Sequence, residues 1–435
     1  MHEFQLSLFY DLQIFIQASD FHRKYYTLFK ALDLSPLPDR NNGVGRDGFS
    51  RHGMLRALIV RHLEGIKSIP RLLEFLDAHP VLADLCGFQM GHFPNETQFY
   101  RFQQELPKVV LQTIHTNLNK TLIENGFVCL DQFVLDSKPV MAATRENNFK
   151  NPSRNTRNKE KKPKRNPQAT LGYYSCQVID GKKENLIFFW GYRTHVIVSR
   201  EGICLVELTL PNNITDAKVA KRLIRELKRR YGINKAAIFL ADKAYDEKEL
   251  YTFIVDQMKG QAFIRLNPRN QKQAPTLGPH GCPLCPAGLE LKSLGTTVET
   301  HRTRIKFRCQ IKASKKFAAN YPHGCPINDP HFDGYGCTKY IDVTNDARAR
   351  VPRDSRLFKE KIKERQVVEQ YFARLGDRAV EQTTHYALRS VQNQMTIAHI
   401  ALSLVAVAAA VLLKQPEKIR CFRTFAQRSI LRETG

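Results

Sequence analysis

Acidic residues are the scarce component of this chain. Against 67 Lys and Arg stand only 42 Asp and Glu, for a formal net charge of +25. So basic a chain calls for a polyanionic partner, nucleic acid first, with a membrane surface as the rival. Export features are also lacking. The opening stretch MHEFQLSLFYDLQIF has no basic n-region and no small-residue cleavage site, so a cytoplasmic protein is expected. Long apolar runs are absent with one exception, residues 397–413 (IAHIALSLVAVAAAVLL). That run is Ala-rich, includes His399 and continues an amphipathic pattern from Tyr386. It reads as a buried helix, and no membrane partner is expected. Ten cysteines without an export signal argue against a disulfide framework and for reduced thiols or metal ligands. Trp190 is the only tryptophan, and core packing is its default role.

What is present divides along the chain of 435 residues. Residues 1–120 carry apolar residues at three-to-four spacing, among them Leu55, Leu58, Ile59 and Leu63, and read as a helical domain. Arg51, Arg56, Arg61, Lys67, Arg71 and Arg101 make it basic, as a DNA-binding domain would be. Residues 121–266 read as the first part of a catalytic core. Strands are expected at 127–140, 171–179, 186–198, 203–210, 236–242 and 261–266, with helices starting near Thr215–Asp216 and, capped by Asp246, in AYDEKELYTFIVDQM. This order predicts an α/β fold, a mixed sheet flanked by helices. Inside it, residues 142–170 form a basic arm. KNPSRNTRNKEKKPKR supplies Lys161, Lys162, Lys164 and Arg165 as candidate phosphate contacts. Residues 267–340 are a Cys/His-rich insertion, residues 341–414 return to core helices, and residues 415–435 are a basic tail.

Three acids stand out. Asp136 and Asp242 each end an apolar strand, where strand propensity does not call for Asp. Glu369 lies in RDSRLFKEKIKERQVVEQYFARLGDR, read as one helix with Phe358, Ile362, Val368, Phe372 and Leu375 as its buried stripe and Glu369 on the same inward face. Arg365, four residues before it, makes a surface Arg–Glu pair the bland alternative. If the strand ends converge, two carboxylates about 4 Å apart repel by up to ~4 kcal/mol at an effective dielectric near 20. Divalent cations remove that cost and suit phosphodiester chemistry.

Around these acids the chain resembles the DDE transposases of bacterial insertion sequences, in the insertion-sequence-four/five-like branch. VLDSKPV resembles the first-acid strand, and GYRTHVIVS and VELTLPNNITDAKVA the elements that follow. FLADKAYD resembles the second-acid strand and turn, and RQVVEQYFARL the third-acid helix, with the R-x-x-x-E spacing kept by Arg365 and Glu369. The likeness runs in order over roughly residues 45 to 415. It implies an RNase H-like core preceded by a helical domain, and binding of two Mg²⁺ (or Mn²⁺) ions by Asp136, Asp242 and Glu369. It further implies cleavage of double-stranded DNA at transposon ends, 3′-OH attack on target DNA, and a homodimer pairing two ends. Arg365 would contact phosphate. Two positions depart from the family pattern: Ile362 where a Tyr is common, and Gly376 where a Lys is common. Arg374 or Arg378 would substitute for the latter. A same-fold endonuclease that cuts without joining and a catalytically silent DNA-binding derivative are the alternative readings.

The insertion holds HGCPLC, then Cys309, HGCP at 323–326 and Cys337. A CxxC knuckle is a zinc signal. Cys282, Cys285, Cys309 and Cys325 are the expected set for a structural Zn²⁺, with Cys337, His280, His323 and His331 as competitors. His195, in a strand, reads as a packed residue rather than a ligand.

Overall fold

A computed structural model of the chain describes residues 12–39, 48–89, 91–155, 162–179, 182–267, 277–280, 282–299, 302–342, 353 and 355–425. The chain divides into two compact units, residues 1–265 with 353–435, and residues 266–352.

Among the described residues, the first unit begins with helices α1 Leu12–Ala18, α2 Asp20–Ala31, α3 Arg51–Leu63, α4 Ile69–Ala78, α5 Pro80–Cys86, α6 Glu96–Glu105 and α7 Lys108–Glu124. Their starts follow from local chemistry. The Ser50 hydroxyl accepts the Gly53 N–H at 2.9 Å ahead of α3. Asn95 and Gln98 form a reciprocal capping box ahead of α6. Leu55, Leu58, Ile59 and Leu63 are all buried. So is Arg61, whose guanidinium donates to the carbonyls of Ile66 and Lys67. That arginine secures a turn, whereas Lys67, Arg71 and Arg101 are exposed.

The sheet follows: β1 Gln132–Met141, β2 Thr170–Ile179, β3 Lys182–Ser199, β4 Cys204–Pro211, α8 Asp216–Tyr231, β5 Ile238–Ala241, α9 Lys248–Thr252 and β6 Gln261–Ile264. Strand order is β2-β3-β1-β5-β6, with β4 on the far side of β3. β1 runs antiparallel to β3 and parallel to β5, and β6 runs parallel to β5, which makes the sheet mixed. Asp246 proves not to be a helix cap. It is buried and faces Arg353, and Glu247 stands at the start of α9.

Arg353 to Arg378 is not a single helix. α12 (Arg356–Lys363) and α13 (Gln366–Gly376) meet at Glu364–Arg365. There the backbone tightens: Arg365 N–H reaches Ile362 O, and Val368 N–H reaches Arg365 O. Each such i→i+3 bond turns the chain further per residue than an α-helix does. The apolar stripe is therefore rephased to Val368, Tyr371 and Leu375, and Phe372 is only half-buried. Glu369 leaves the inward face, and its side chain is 56% exposed.

α14 (Leu388–Val407), continued by a wider turn to Leu412, is the apolar run met in the sequence. By length and hydropathy it could cross a membrane, but 89% of its most apolar window is buried in this protein. Its polar residues find partners on the elements around it. Asn393 donates to the carbonyls of Gln103 and Leu106, Thr396 to Glu207 at 2.6 Å, and Ser403 to Asn119 at 3.0 Å. Asn119 in turn donates to Cys204 O at 3.0 Å, and Tyr371 hydrogen-bonds His399.

The second unit contains an antiparallel sheet in the order β7 (Lys292–Glu299), β8 (Arg302–Arg308), β9 (Thr338–Asp342). Two single-turn helices follow β8, α10 (Gln310–Ala313) and α11 (Lys315–Ala318).

Candidate active site

The site forms at one end of the parallel pair β1 and β5. Their register matches Gln132 with Ile238 and Val134 with Leu240. β5 stops at Ala241, whereas β1 continues to Met141, so Asp136 is inside its strand rather than at the end of it. What ends near Asp136 is the pairing with β5. Asp136 lies two residues beyond Val134, and Asp242 two beyond Leu240. The register therefore sets both carboxylates at the same level on neighbouring strands. Asp242 is further fixed by accepting the Ala244 N–H at 2.8 Å, which starts a tight turn.

Asp136 accepts the Ser137 N–H at 2.8 Å on one oxygen and Arg365 Nη1 at 3.0 Å on the other. Arg365 also pairs with Glu369 through Nη2. It thus clasps the first and third acids from the junction of α12 and α13. Burial raises the Asp136 carboxyl to about 7, and the charge of Asp242 pushes the same way. Arg365 offsets only part of that cost.

A fourth carboxylate, Asp216 at the start of α8, joins the group. It accepts Ser137 Oγ at 3.1 Å and stands 3.8 Å from Arg193 Nη1 and 3.3 Å from His195 Nδ1. Burial raises its pKa, and Asp242 adds to the rise. Burial holds the His195 imidazole down to about 3, so the ring is a neutral packed residue. Tyr245 is buried beside the three aspartates, and burial with their charge pushes its phenol up. In the sequence Asp216 reads only as a helix start. A polar NNIT stretch bringing an acid directly off an apolar strand was the available signal.

Among the described residues, no group of three or more His, Cys, Asp or Glu stands at metal-ligand spacing. The donor set nevertheless fits a hard divalent cation. It is made of carboxylate oxygens held at a matched register, one of them raised in pKa by burial and a neighbouring acid, with a guanidinium as the cation now between two of them.

The other predicted contacts separate. Lys162, Lys164 and Arg165 are exposed, and Lys161 lies outside the described residues. Arg165 borders a cleft of about 1020 Å³ that Lys67, Tyr100, Phe149, Glu381 and Tyr386 also line. Arg374 and Arg378 turn into the protein. Arg374 donates to Gly202 O at 2.7 Å and lies over the Tyr371 ring, and Arg378 donates to Leu63 O. The cation beside Gly376 is Lys138 from β1. Its Nζ is 3.2 Å from where a Cβ on Gly376 would stand, and it pairs with Glu381 at 2.8 Å.

A mixed sheet with two acids level where a central parallel pair stops pairing, and a third acid on a late helix, is the arrangement the resemblance implies for a DDE-class transposase. Residues 132–404 match the family model described as the transposase DDE domain, and residues 11–105 match that of a transposase domain (DUF772). The chain belongs to the DDE transposase domain family, typical of bacterial insertion-sequence transposases. Among solved structures the chain is similar to a piggyBac transposase synaptic complex with hairpin DNA, at 8% identity and a TM-score of 0.33 over 95% of this chain and 80% of that one. No curated protein matches.

Proposed function

We propose that this transposase cuts double-stranded DNA at the ends of its own element and joins the freed 3′-OH to target DNA. The observation that carries the proposal is the matched register of Asp136 and Asp242 on β1 and β5, with Glu369 tied to Asp136 through Arg365. Asp136, Asp242 and Glu369 would hold two Mg²⁺ or Mn²⁺ ions, which when bound activate the attacking oxygen and stabilise the leaving one. Asp216, set by Ser137 and faced by His195 and Arg193, would position the acid cluster from the α8 side.

Arg365 has a second use. When its carboxylates are otherwise satisfied, the guanidinium is free to hold a phosphate beside the cut. Lys162, Lys164 and Arg165 would add sequence-independent contacts to the backbone, as would Lys67 across the cleft. Joining two ends in one event calls for a pair of active sites, hence a homodimer on DNA.

The test is incubation of purified protein with Mg²⁺ and a plasmid carrying the native flanks of its gene, beside Asp136→Asn and Glu369→Gln. Cleavage at the flanks, products joined to new DNA, and loss of both in the two variants are expected. Flank cutting without joining would make the protein an endonuclease. Binding without cutting, with Mn²⁺ tried as well, would leave it a silent DNA-binding derivative.

A further inference from the structure

We propose that the second unit binds one structural Zn²⁺ through Cys282, Cys285, Cys309 and Cys337, with Cys337 rather than Cys325 as the fourth ligand. β8 and β9 bring two of these cysteines face to face. Their register pairs Arg308 with Thr338, so Cys309 and Cys337 are the next opposed positions. The Cys309 N–H donates to Cys337 O at 2.8 Å, which keeps the two in register. Directly opposed residues in an antiparallel pair send their side chains to the same face. Gly336 makes the approach feasible. Its φ is +71°, and a Cβ there would stand 2.7 Å from Cys309 Cβ and 3.3 Å from Cys309 Sγ.

The other half is a knuckle. Cys285 N–H donates to Leu289 O at 2.8 Å, and Gly288 N–H returns to Cys285 O at 2.9 Å with Gly288 at φ +74°. This closes CPLCPAGL into a tight turn with Cys282 and Cys285 at C-x-x-C spacing, as tetrahedral zinc sites use. Lys339, two residues past Cys337, donates to Leu284 O at 2.7 Å and ties the knuckle to the start of β9. The Cys337 thiol donates to Asp329 Oδ2 at 3.8 Å. Zinc would take all four thiols as thiolates.

Cys325 stands in a turn of its own, where its carbonyl accepts the Asn328 N–H, and not at a strand end opposite Cys309. His280 and His331 are exposed and pair with Glu290 and Asp329, each at 2.7–2.8 Å. Three chain segments would give the sulfurs, two from the knuckle and one each from the ends of β8 and β9; without metal they do not stand at ligand spacing, and the small sheet alone offers little core to join them. A metal crosslink supplies that join.

The experiment uses the full-length protein, reconstituted with Zn²⁺ and freed of excess. Metal content by mass spectrometry is expected at about one Zn²⁺ per chain. Iodoacetamide labelling, read by peptide mapping, should spare Cys282, Cys285, Cys309 and Cys337 and modify Cys325, and a chelator should open the four together. Cys325→Ser should keep its zinc, and Cys337→Ser should lose it. Absence of zinc after reconstitution overturns the proposal. So does protection of Cys325 with Cys337 labelled. The labelling arm uses the unmutated chain, so it decides the matter even where Cys337→Ser fails to fold.

Discussion

Two regions of the first unit concentrate buried polar groups, and they treat them in opposite ways. Along α14, the side chains of Asn393, Thr396 and Ser403 each donate to a fixed partner on α6, α7, β4 or the turns beside them. At the end of β1 and β5, four acids gather around too few cations, and the pKa of Asp136 rises to about 7. Those three donors are met, although Asn393 Oδ1, Gln394 Nε2 and His399 Nε2 on the same helix have no hydrogen-bond partner; met donors favour one packing. Carboxylates crowded beyond their compensating cations mark a candidate ligand site. Buried polar groups thus support packing in one region and, on the proposed function, chemistry in the other, and charge separates the two.

The largest effect should come from the second region. Asp136→Asn or Glu369→Gln is expected to take DNA cleavage below detection while the melting temperature holds, as read by plasmid cleavage and calorimetry. A stability loss matching the activity loss would erase the distinction between the regions. Next, Asp216→Asn should lower cleavage about 10–100-fold, the range for groups that orient a metal site from behind. Wild-type rates from that variant would remove Asp216 from the site. In the first region the readouts should trade places. Asn119→Ala strips partners from Ser403, Cys204 O and Tyr231, and each buried group left unpaired costs about 1–3 kcal/mol. Cleavage per folded molecule should stay unchanged.

The last effect, on stability and not on cleavage, is one of pH. The Asp136 carboxyl has a higher pKa folded than the usual 3.8. The metal-free fold therefore binds that proton more tightly than the unfolded chain does, and its stability should rise as pH falls from about 7 toward 4. In EDTA, denaturation curves of wild-type protein should show that gain, and those of Asp136→Asn should not. Saturating Mg²⁺ should flatten the wild-type curve.

The comparison also explains what the sequence could reveal. Asp136 and Asp242 are legible as candidates because each ends an apolar run, an exception to a local rule. The mixed sheet is legible from the order of strands and helices. The parallel pairing of β1 with β5, which sets the two acids level, is a long-range fact that no local pattern carries. Glu369 reads from the sequence as inward-facing, and the structure turns it outward. The tightening at Glu364–Arg365 has no Pro or Gly to announce it, and it rephases everything after it. Asp216 resembled an ordinary helix start until the fold brought Ser137 against it. Basic charge misled in a similar way. Arg61, Arg374 and Arg378 count toward a polyanion-binding surface by composition, yet each spends its guanidinium on backbone carbonyls.

The Arg365 clasp has a consequence for how the site is switched on. A guanidinium tied to Asp136 and Glu369 has to let go before either acid can serve another cation. On the proposed function, metal uptake is then an exchange, with an apparent affinity equal to the difference between two attractions. A DNA phosphate nearby would give the released arginine somewhere to go. DNA and metal would therefore strengthen each other's binding by the same factor, as linkage requires. The clasp would then keep the site closed to metal in molecules that carry no DNA, and load it where a phosphate is already in place.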